Sequence, residues 1–130
     1  MSKQKLEYSD IEPISRTDAL AALRSGDTDA ITYAILSVSL HDSDWRWAQN
    51  ICLQMLKHES PIVQMNALTG LSHIVRIHGK LDLTTVRAII DSIDLNTQYS
   101  FGGEKYRLRG RVEELYSDIN VYYTRISGPT

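Results

Sequence analysis

The sequence contains only one cysteine, three prolines and one phenylalanine in 130 residues. A single thiol, Cys52, can form neither an internal disulfide nor a cysteine-based metal cage, which is typical of a reducing compartment. Residues 1–10 lack the apolar segment of a signal peptide, and the longest nearly apolar stretch, residues 30–40, is too short to span a membrane. We therefore expect a cytoplasmic protein with no membrane partner and no cofactor.

A large excess of charge of one sign is also missing, because the formal net charge is -2. Tight binding to polyanions needs concentrated Lys and Arg, so this balance argues against a nucleic-acid clamp but leaves room for a local patch. The charge is unevenly placed. Residues 1–44 hold four cations and eight acids, whereas residues 45–130 hold ten cations and eight acids. An acidic first third favours a basic partner.

No motif in the sequence is typical of an enzyme. There is no phosphate loop, nucleophile elbow or dinucleotide fingerprint, and no histidine pair has the spacing of a zinc hydrolase. His41 with Asp42 and Asp44 is a weak candidate for a metal cluster, and helix capping explains it better. Cys52 falls on the apolar side of its predicted helix, where a thiol behaves as a small hydrophobe. We expect a protein that is not an enzyme and binds no metal.

Helix start and stop residues recur after a polar N-terminal arm, residues 1–14, that could dock through Tyr8, Ile11 and Ile14. Capping residues at Ser15, at Asp27, at Asp42 or Ser43, and at Ser60-Pro61 each precede an apolar pattern of helical period. Residues 95–103 are predicted to be a loop, residues 127–130 a tail, and no strand is predicted. The expected fold is all-α, a single domain over residues 15–126, with helices ending near Gly26, Leu40, His58, Gly79, Ile93 and Tyr123, the last one starting at Glu104.

An internal repeat organises these helices, since a shift of 33 residues aligns the second helix with the fourth. Ala34 falls on Ala67 and Ser37 on Gly70, which are small residues where helices pack closely. Residues 47–76, WAQNICLQML followed by a Ser-Pro turn and SPIVQMNALTGLSHI, resemble a HEAT or armadillo repeat, although Gln64 stands where many such repeats have Arg. The resemblance implies a right-handed α-solenoid of about three antiparallel helix pairs, whose second helices line a concave face; the alternative is an irregular helical bundle.

A candidate binding surface follows from that architecture. Residues beside the buried stripe of each second helix should form one row across the concave face, apolar at one end and charged at the other. Trp47 points away from the core position Trp45, so it either covers the next helix pair or anchors a partner. Whether the N-terminal arm covers Tyr33, Leu36 and Leu40 stays open. The predicted partner-binding residues are Tyr33, Leu36, Trp47, Asn66, Thr69, His73, Arg76, Arg111, Glu114 and Asp118.

The segment EKYRLRGR, residues 104–111, is the most basic part of the chain. On a helix, Arg107 would pair with Glu104, Arg109 with Glu113 and Arg111 with Glu114, which predicts a solvated charged face. The alternative is that Gly102-Gly103 opens the helix and, with Lys105 and Arg107, binds an anion.

Taken with size and charge, these patterns predict a non-catalytic protein-binding module that works as a monomer in a complex with another protein. Some small bacterial helical-repeat proteins resemble immunity proteins, which cover the active site of a toxin, and a basic toxin domain would suit the acidic first third. An adaptor or assembly scaffold, and a helical-repeat protein that binds nucleic acid, are the alternatives.

Overall fold

A computed structural model of the chain describes residues 10–124. This part of the chain is mostly helical and includes one two-stranded antiparallel sheet. None of its helices is both long and apolar enough to cross a membrane. The elements in chain order are α1 (Arg16–Leu23), α2 (Thr28–His41), α3 (Trp45–Met55), α4 (Pro61–His78), α5 (Leu83–Asp91), β1 (Gln98–Phe101), β2 (Glu104–Arg107) and α6 (Leu108–Tyr122).

Most helix ends lie where local chemistry predicts them. The side chain of Ser15 accepts the amide hydrogen of Asp18 at 3.0 Å, and the side chains of Asp27 and Ser60 cap α2 and α4 in the same way. Gly79 closes α4 with φ of 69°, a left-handed conformation that glycine adopts without a steric penalty. Short polar side chains therefore start these helices before any tertiary contact is considered.

The start and end of α3 differ from the prediction. The capping residue is Asp44, which accepts the amide hydrogens of Arg46 and Trp47, and neither Asp42 nor Ser43 caps the helix. Asp42 instead accepts the amide hydrogen of Asp44 at 2.8 Å and binds the guanidinium of Arg16. All three candidate residues can cap a helix, so only the tertiary contact with α1 selects among them. The helix also ends at Met55, three residues earlier than expected.

The long helix α4 lies at the centre and packs against α2, α3 and α6. Asn66 lies beside Thr32, and Gly70 lies beside Ser39, so α2 and α4 advance together and run in the same direction. The 33-residue shift found in the sequence therefore has a counterpart in the packing of these two helices. Because α4 is covered on several sides, nearly all of its residues between Val63 and Val75 are buried.

The helix α6 lies on the other side of α4 and also runs parallel to it. A guanidinium nitrogen of Arg76 lies 3.0 Å from a carboxylate oxygen of Asp118, and the amide of Thr124 donates to the carbonyl of Gly79 at 2.6 Å. Residues that pair across this interface are therefore 42 to 45 positions apart, which is more than the 33-residue shift that relates α2 to α4.

The all-helical prediction is wrong between α5 and α6, where residues 98–107 form a β-hairpin. Residues 104–107 are strand β2 and not the first turn of α6. Gly102 and Gly103 have φ of 62° and 83°, as the two central residues of a type I′ turn require. The turn pairs Phe101 with Glu104, and the strands on either side then alternate in period two. The predicted apolar stripe of α6 is also shorter than expected: it ends at Ile119, Tyr122 is exposed, and Ile126 lies outside the described residues.

Residues 10–14 of the predicted arm lie against α2. Ile11 is buried, and the backbone around it is held by side chains one turn apart on α2. The hydroxyl of Tyr33 accepts from the amide of Glu12 at 2.7 Å, Ser37 donates to the carbonyl of Glu12 at 2.6 Å, and His41 bonds the carbonyl of Ile11 at 2.6 Å. Docking through Ile11 is therefore confirmed for this part of the arm; Tyr8 lies outside the described residues.

Candidate functional site: the cleft between α4 and α6

Six of the ten predicted partner-binding residues line one cleft between the parallel helices α4 and α6. The cleft has a volume of about 200 Å³. Its residues come from successive turns of each helix, at spacings of three and four, which place them on one helical face. The eight lining residues, hereafter the α4–α6 cleft, are Thr69, Ser72, His73, Arg76, Arg111, Glu114, Ser117 and Asp118.

Two ion pairs lie in this cleft. Arg76 pairs with Asp118 across the two helices at 3.0 Å, and Arg111 donates to Glu114 along α6 at 2.8 Å, as the sequence spacing predicted. The side chain of Glu114 is 62% exposed and that of Arg76 is 48% exposed, whereas Asp118 is largely buried. The Arg111–Glu114 pair, whose carboxylate is exposed, should contribute only about 0–1 kcal/mol, so a partner's charged group could exchange with Arg111 there at little cost. Removing Arg76 would cost more, because it would leave the largely buried carboxylate of Asp118 unpaired.

Arg111 also connects the cleft to the β-hairpin. Burial acts to lower the pKa of Arg111, but a hydrogen bond with Tyr99 and the carboxylate of Glu114 outweigh burial, and the pKa is raised. Tyr99 is buried and stacks on Tyr106 with ring centroids 5.6 Å apart. The hairpin therefore positions Arg111 at one end of the cleft through Tyr99. An uninterrupted helix from residue 104 could not make this contact.

His73 lies at the floor of the cleft and is 5% exposed. Burial lowers the pKa of His73 to about 4; the positive charge of Arg76 acts in the same direction, and the carboxylate of Asp118 opposes it. The imidazole is therefore neutral at pH 7. The cleft thus offers two compensated ion pairs, a neutral imidazole and hydroxyl groups, and its charges are of both signs.

The predicted exposure of the row is wrong for its central part. Asn66 and Thr69 are buried, because α4 lies between two other helices, and both side chains donate to backbone carbonyls one turn earlier in α4. Leu36 is also buried, at 5% exposure, and belongs to the core side of α2. Tyr33 is half-buried and bonded to the arm, so the apolar end of the predicted row is covered in this structure. Tyr33, Leu36 and Asn66 therefore lie outside the α4–α6 cleft.

Trp47 also lies away from the cleft. It is half-buried, packs against the core, and is covered by the guanidinium of Arg16, which lies 4.3 Å from the ring centroid. Asp42 and Asp44 hold that guanidinium in place. The structure thus favours the covering role over an anchor for a partner, because a cation already occupies the face of the ring.

The basic segment 104–111 keeps one of its three predicted ion pairs. Arg107 and Glu104 are three residues apart on a strand, so their side chains point to opposite faces of the hairpin. Arg109 donates to the side chain of Asn96 at 3.3 Å in place of Glu113. The anion-site alternative also loses its basis, because Gly102 and Gly103 form a hairpin turn and do not expose the amides of a helix start.

Sequence reasoning missed four residues at or near this cleft. Ser72 and Ser117 line it directly. Ile77 and Val121 lie one turn beyond His73 and Asp118 on the same faces, and they are 52% and 69% exposed. The sequence signal for the last two is an aliphatic residue three or four positions after a cleft residue, near the C-terminal end of the helix.

Other candidate chemistry is confined to buried or capping groups. Cys52 is fully buried beside the hydroxyl of Ser39 at 3.3 Å, and burial raises the pKa of its thiol to about 12. Within residues 10–124, no group of three or more His, Cys, Asp or Glu side chains has the arrangement of a metal site.

Comparisons of the chain with protein-family models, with curated proteins and with solved structures find no match. The resemblance of residues 47–76 to a HEAT or armadillo repeat therefore stays a prediction.

Proposed function

We propose that the chain is a non-catalytic protein-binding module that receives its partner at the α4–α6 cleft. The observation that carries this proposal is that residues chosen from helical spacing alone, from Thr69 to Asp118, line one cleft with charges of both signs. Mixed charges at a surface suit the polar part of a protein interface, where each sign meets its complement.

The size and borders of the cleft favour a protein over a small molecule. Pockets for small ligands are usually about 300–1,000 Å³ and mostly apolar, whereas this cleft is about 200 Å³ and lined by polar side chains. Ile77 and Val121, which are exposed, lie one turn beyond His73 and Asp118 of the cleft. A protein surface could bury these two aliphatic side chains and meet the charged pairs at the same time, which is the usual plan of an apolar centre with a polar border.

We also propose that the architecture is a HEAT-like stack of helix pairs. Support comes from the parallel direction of α2, α4 and α6, from the 33-residue shift, and from the close approach of helices at Gly70. In such a stack each helix pair buries its neighbour, and the second helices share one face. The α4–α6 cleft would then be one part of a longer recognition surface.

A more specific proposal is that the partner is a toxin that the chain neutralises, as immunity proteins do. The support is indirect: the chain is small, and its first 44 residues hold eight acids against four cations. Such a field would steer a basic toxin domain toward the protein and speed their association. An adaptor or assembly scaffold would use the same cleft without the need for a toxic partner.

The test is a pull-down from the native host with two matched variants. Glu114→Arg places a cation in the cleft and removes the partner of Arg111, whereas Glu113→Arg makes the same change on the neighbouring exposed position outside the cleft. A protein that co-purifies with the wild type and with E113R but not with E114R supports the cleft. Retention by both variants places the interface elsewhere, and capture of nothing by the wild type contradicts a protein-binding role. Unfolding midpoints of both variants control for folding.

For the immunity proposal, the captured protein is expressed alone and together with the chain. Growth arrest that the wild type relieves and E114R does not relieve supports it. A captured protein that is harmless by itself leaves the adaptor role as the better description.

One observation favours nucleic-acid binding as a second candidate. Arg107 and Arg109 do not have the acidic partners that a helix would have given them. Filter binding of oligonucleotides at low salt tests this candidate: micromolar affinity with a steep salt dependence supports it, and its absence removes it.

A further inference from the structure

The two edges of the β-hairpin differ in what covers them. β1 packs against α4, and a groove of about 380 Å³ beside this contact is lined by Ile62 of α4, by Gln98 and Ser100 of β1, and also by Lys105 of β2. β2 is the outer strand, and all four of its residues are exposed. β2 therefore presents an exposed edge on the side away from β1.

The register shows which backbone groups lie on that open edge. The two-glycine turn makes Phe101 and Glu104 the closing hydrogen-bonded pair, and the hydrogen-bonded pairs then alternate along the ladder. The bond from the amide of Leu108 to the carbonyl of Thr97, at 3.0 Å, continues the same alternation beyond the strands.

The intervening residues, Lys105 and Arg107, therefore direct their backbone groups away from β1. The carbonyl of Arg107 starts the helix α6 as its cap residue, which leaves three groups for the edge: the amide of Lys105, the carbonyl of Lys105 and the amide of Arg107. No hydrogen bond found among residues 10–124 uses these three groups. Their spacing is that of an edge strand to which another strand can pair.

The side chains on the β2 edge determine which charge on an added strand is favoured. Lys105 and Arg107 point to one face of the hairpin, and both are exposed. Neither takes part in an ion pair within the described part of the chain. A second copy of the same edge would bring like charges together and be repelled, whereas a strand that carries carboxylates would be attracted.

The same alternation argues against a nucleic acid as the occupant. Tyr106, the aromatic side chain that could stack on a base, lies on the face opposite Lys105 and Arg107, where it stacks on Tyr99. Surfaces that bind single strands combine stacking side chains and cations on one face. Here a phosphate contact and a base contact would need opposite faces of the hairpin.

We propose that the β2 edge binds an extended, acidic segment of a partner protein by adding it as a third strand. Main-chain hydrogen bonds to Lys105 and Arg107 supply the pairing, and their side chains supply the preference for carboxylates. This surface is separate from the α4–α6 cleft, so its test does not depend on the proposal made for that cleft.

The probe is a capped peptide of alternating threonine and glutamate, titrated into the full chain and followed by amide NMR. We expect saturable binding in which the amides of Lys105 and Arg107 exchange at least about tenfold more slowly, while that of Tyr106, already paired with β1, changes little. A purely ionic contact would not give this alternation. Absence of binding at millimolar peptide, or binding that protects neither edge amide, overturns the proposal.

A pair of variants tests the charge preference. The double variant Lys105→Glu with Arg107→Glu should weaken peptide binding at least about tenfold, whereas Arg24→Glu with Lys57→Glu changes the net charge equally at exposed positions away from the hairpin and should have little effect. Equal weakening by both double variants would show long-range attraction only and refute a docking edge. Tighter binding of oligothymidylate than of the peptide, with the same dependence on Lys105 and Arg107, would assign the edge to nucleic acid instead.

Discussion

Among the glycines of the described residues, Gly70 is the one where an added methyl group should cost the most. A Cβ added there would lie 2.5 Å from the Oγ of Ser39, 2.7 Å from the Sγ of Cys52 and 3.2 Å from a methyl carbon of Ile35. Both of the closest atoms belong to fully buried side chains on two different helices, so neither can move away without shifting α2 or α3.

The expected loss follows from two opposed effects. Overpacking a well-packed core costs about 1–3 kcal/mol, and two contacts below 3.0 Å place Gly70→Ala at the upper end. Replacing glycine inside a helix returns about 1 kcal/mol through helix propensity. The free energy of unfolding should therefore fall by about 2 kcal/mol, which lowers a urea midpoint by about 1 M for a typical small domain.

A matched control is available in the same chain. Gly110 lies in α6, and a Cβ there would meet nothing within 4 Å, so Gly110→Ala should raise stability by about 0.5–1 kcal/mol. Urea unfolding followed by circular dichroism at 222 nm compares the two variants. Removing the nearest atom with Ser39→Ala should recover part of the loss in a double-mutant cycle. Equal stabilisation by G70A and G110A would show that the three helices do not meet at Gly70 and would refute the packing described.

Three further changes have defined outcomes. The pKa of His73 falls from 6.5 to about 4 on folding, so the stability that its neutral imidazole contributes is present above pH 6.5 and is lost as the pH drops toward 4. The free energy of unfolding should therefore decline by about 2 kcal/mol between pH 7.5 and pH 5. Urea titrations of His73→Gln should lack this part of the decline. Gln49 is fully buried; its side-chain amide donates to the carboxylate of Asp82, and its side-chain oxygen accepts from the backbone amide of Asp82. Gln49→Glu should therefore destabilise the protein by at least about 1–3 kcal/mol, measured by thermal unfolding at pH 7. An unchanged stability would contradict these two hydrogen bonds. Gly103→Ala should speed amide exchange in β2, because alanine rarely adopts the φ of 83° found at this position, whereas Gly102→Asn should be tolerated. Equal exchange rates of the β2 amides in the two variants would argue against a type I′ turn.

Much of the helical framework could be predicted because it depends on local chemistry. A Ser or Asp side chain caps the first amides of a helix wherever the chain is, and Pro61 and Gly79 act through their own backbone preferences. The cleft-facing residues of α4 and α6 could be predicted because the helical period fixes which side chains share a face. The failures concern segments in which local preferences do not decide.

The hairpin is the clearest of these failures. Residues 104–111 have the charges of a solvated helix, and the last four of them are helical. Two glycines between QYSF and EKYR are, however, the residues a type I′ turn requires, and the cross-strand pair Tyr99–Tyr106 is typical of a sheet. Counting the Gly-Gly pair as a turn between two alternating segments would have identified it.

The sequence alone determined the order of most helices, their ends and the faces they bury, because capping, glycine conformation and period 3.6 act over a few residues. Only the tertiary structure decided that α4 lies between α2 and α6, and that position buries Asn66, Thr69 and His73, which helical spacing had assigned to an open surface. Burial of a polar face depends on neighbours that are distant in the chain, and a pattern confined to one helix cannot contain them. The same distant contacts bring Arg76 to Asp118 and Arg111 to Tyr99, and so decide which side chains pair in the cleft, whereas the sequence predicted only that its residues share one row.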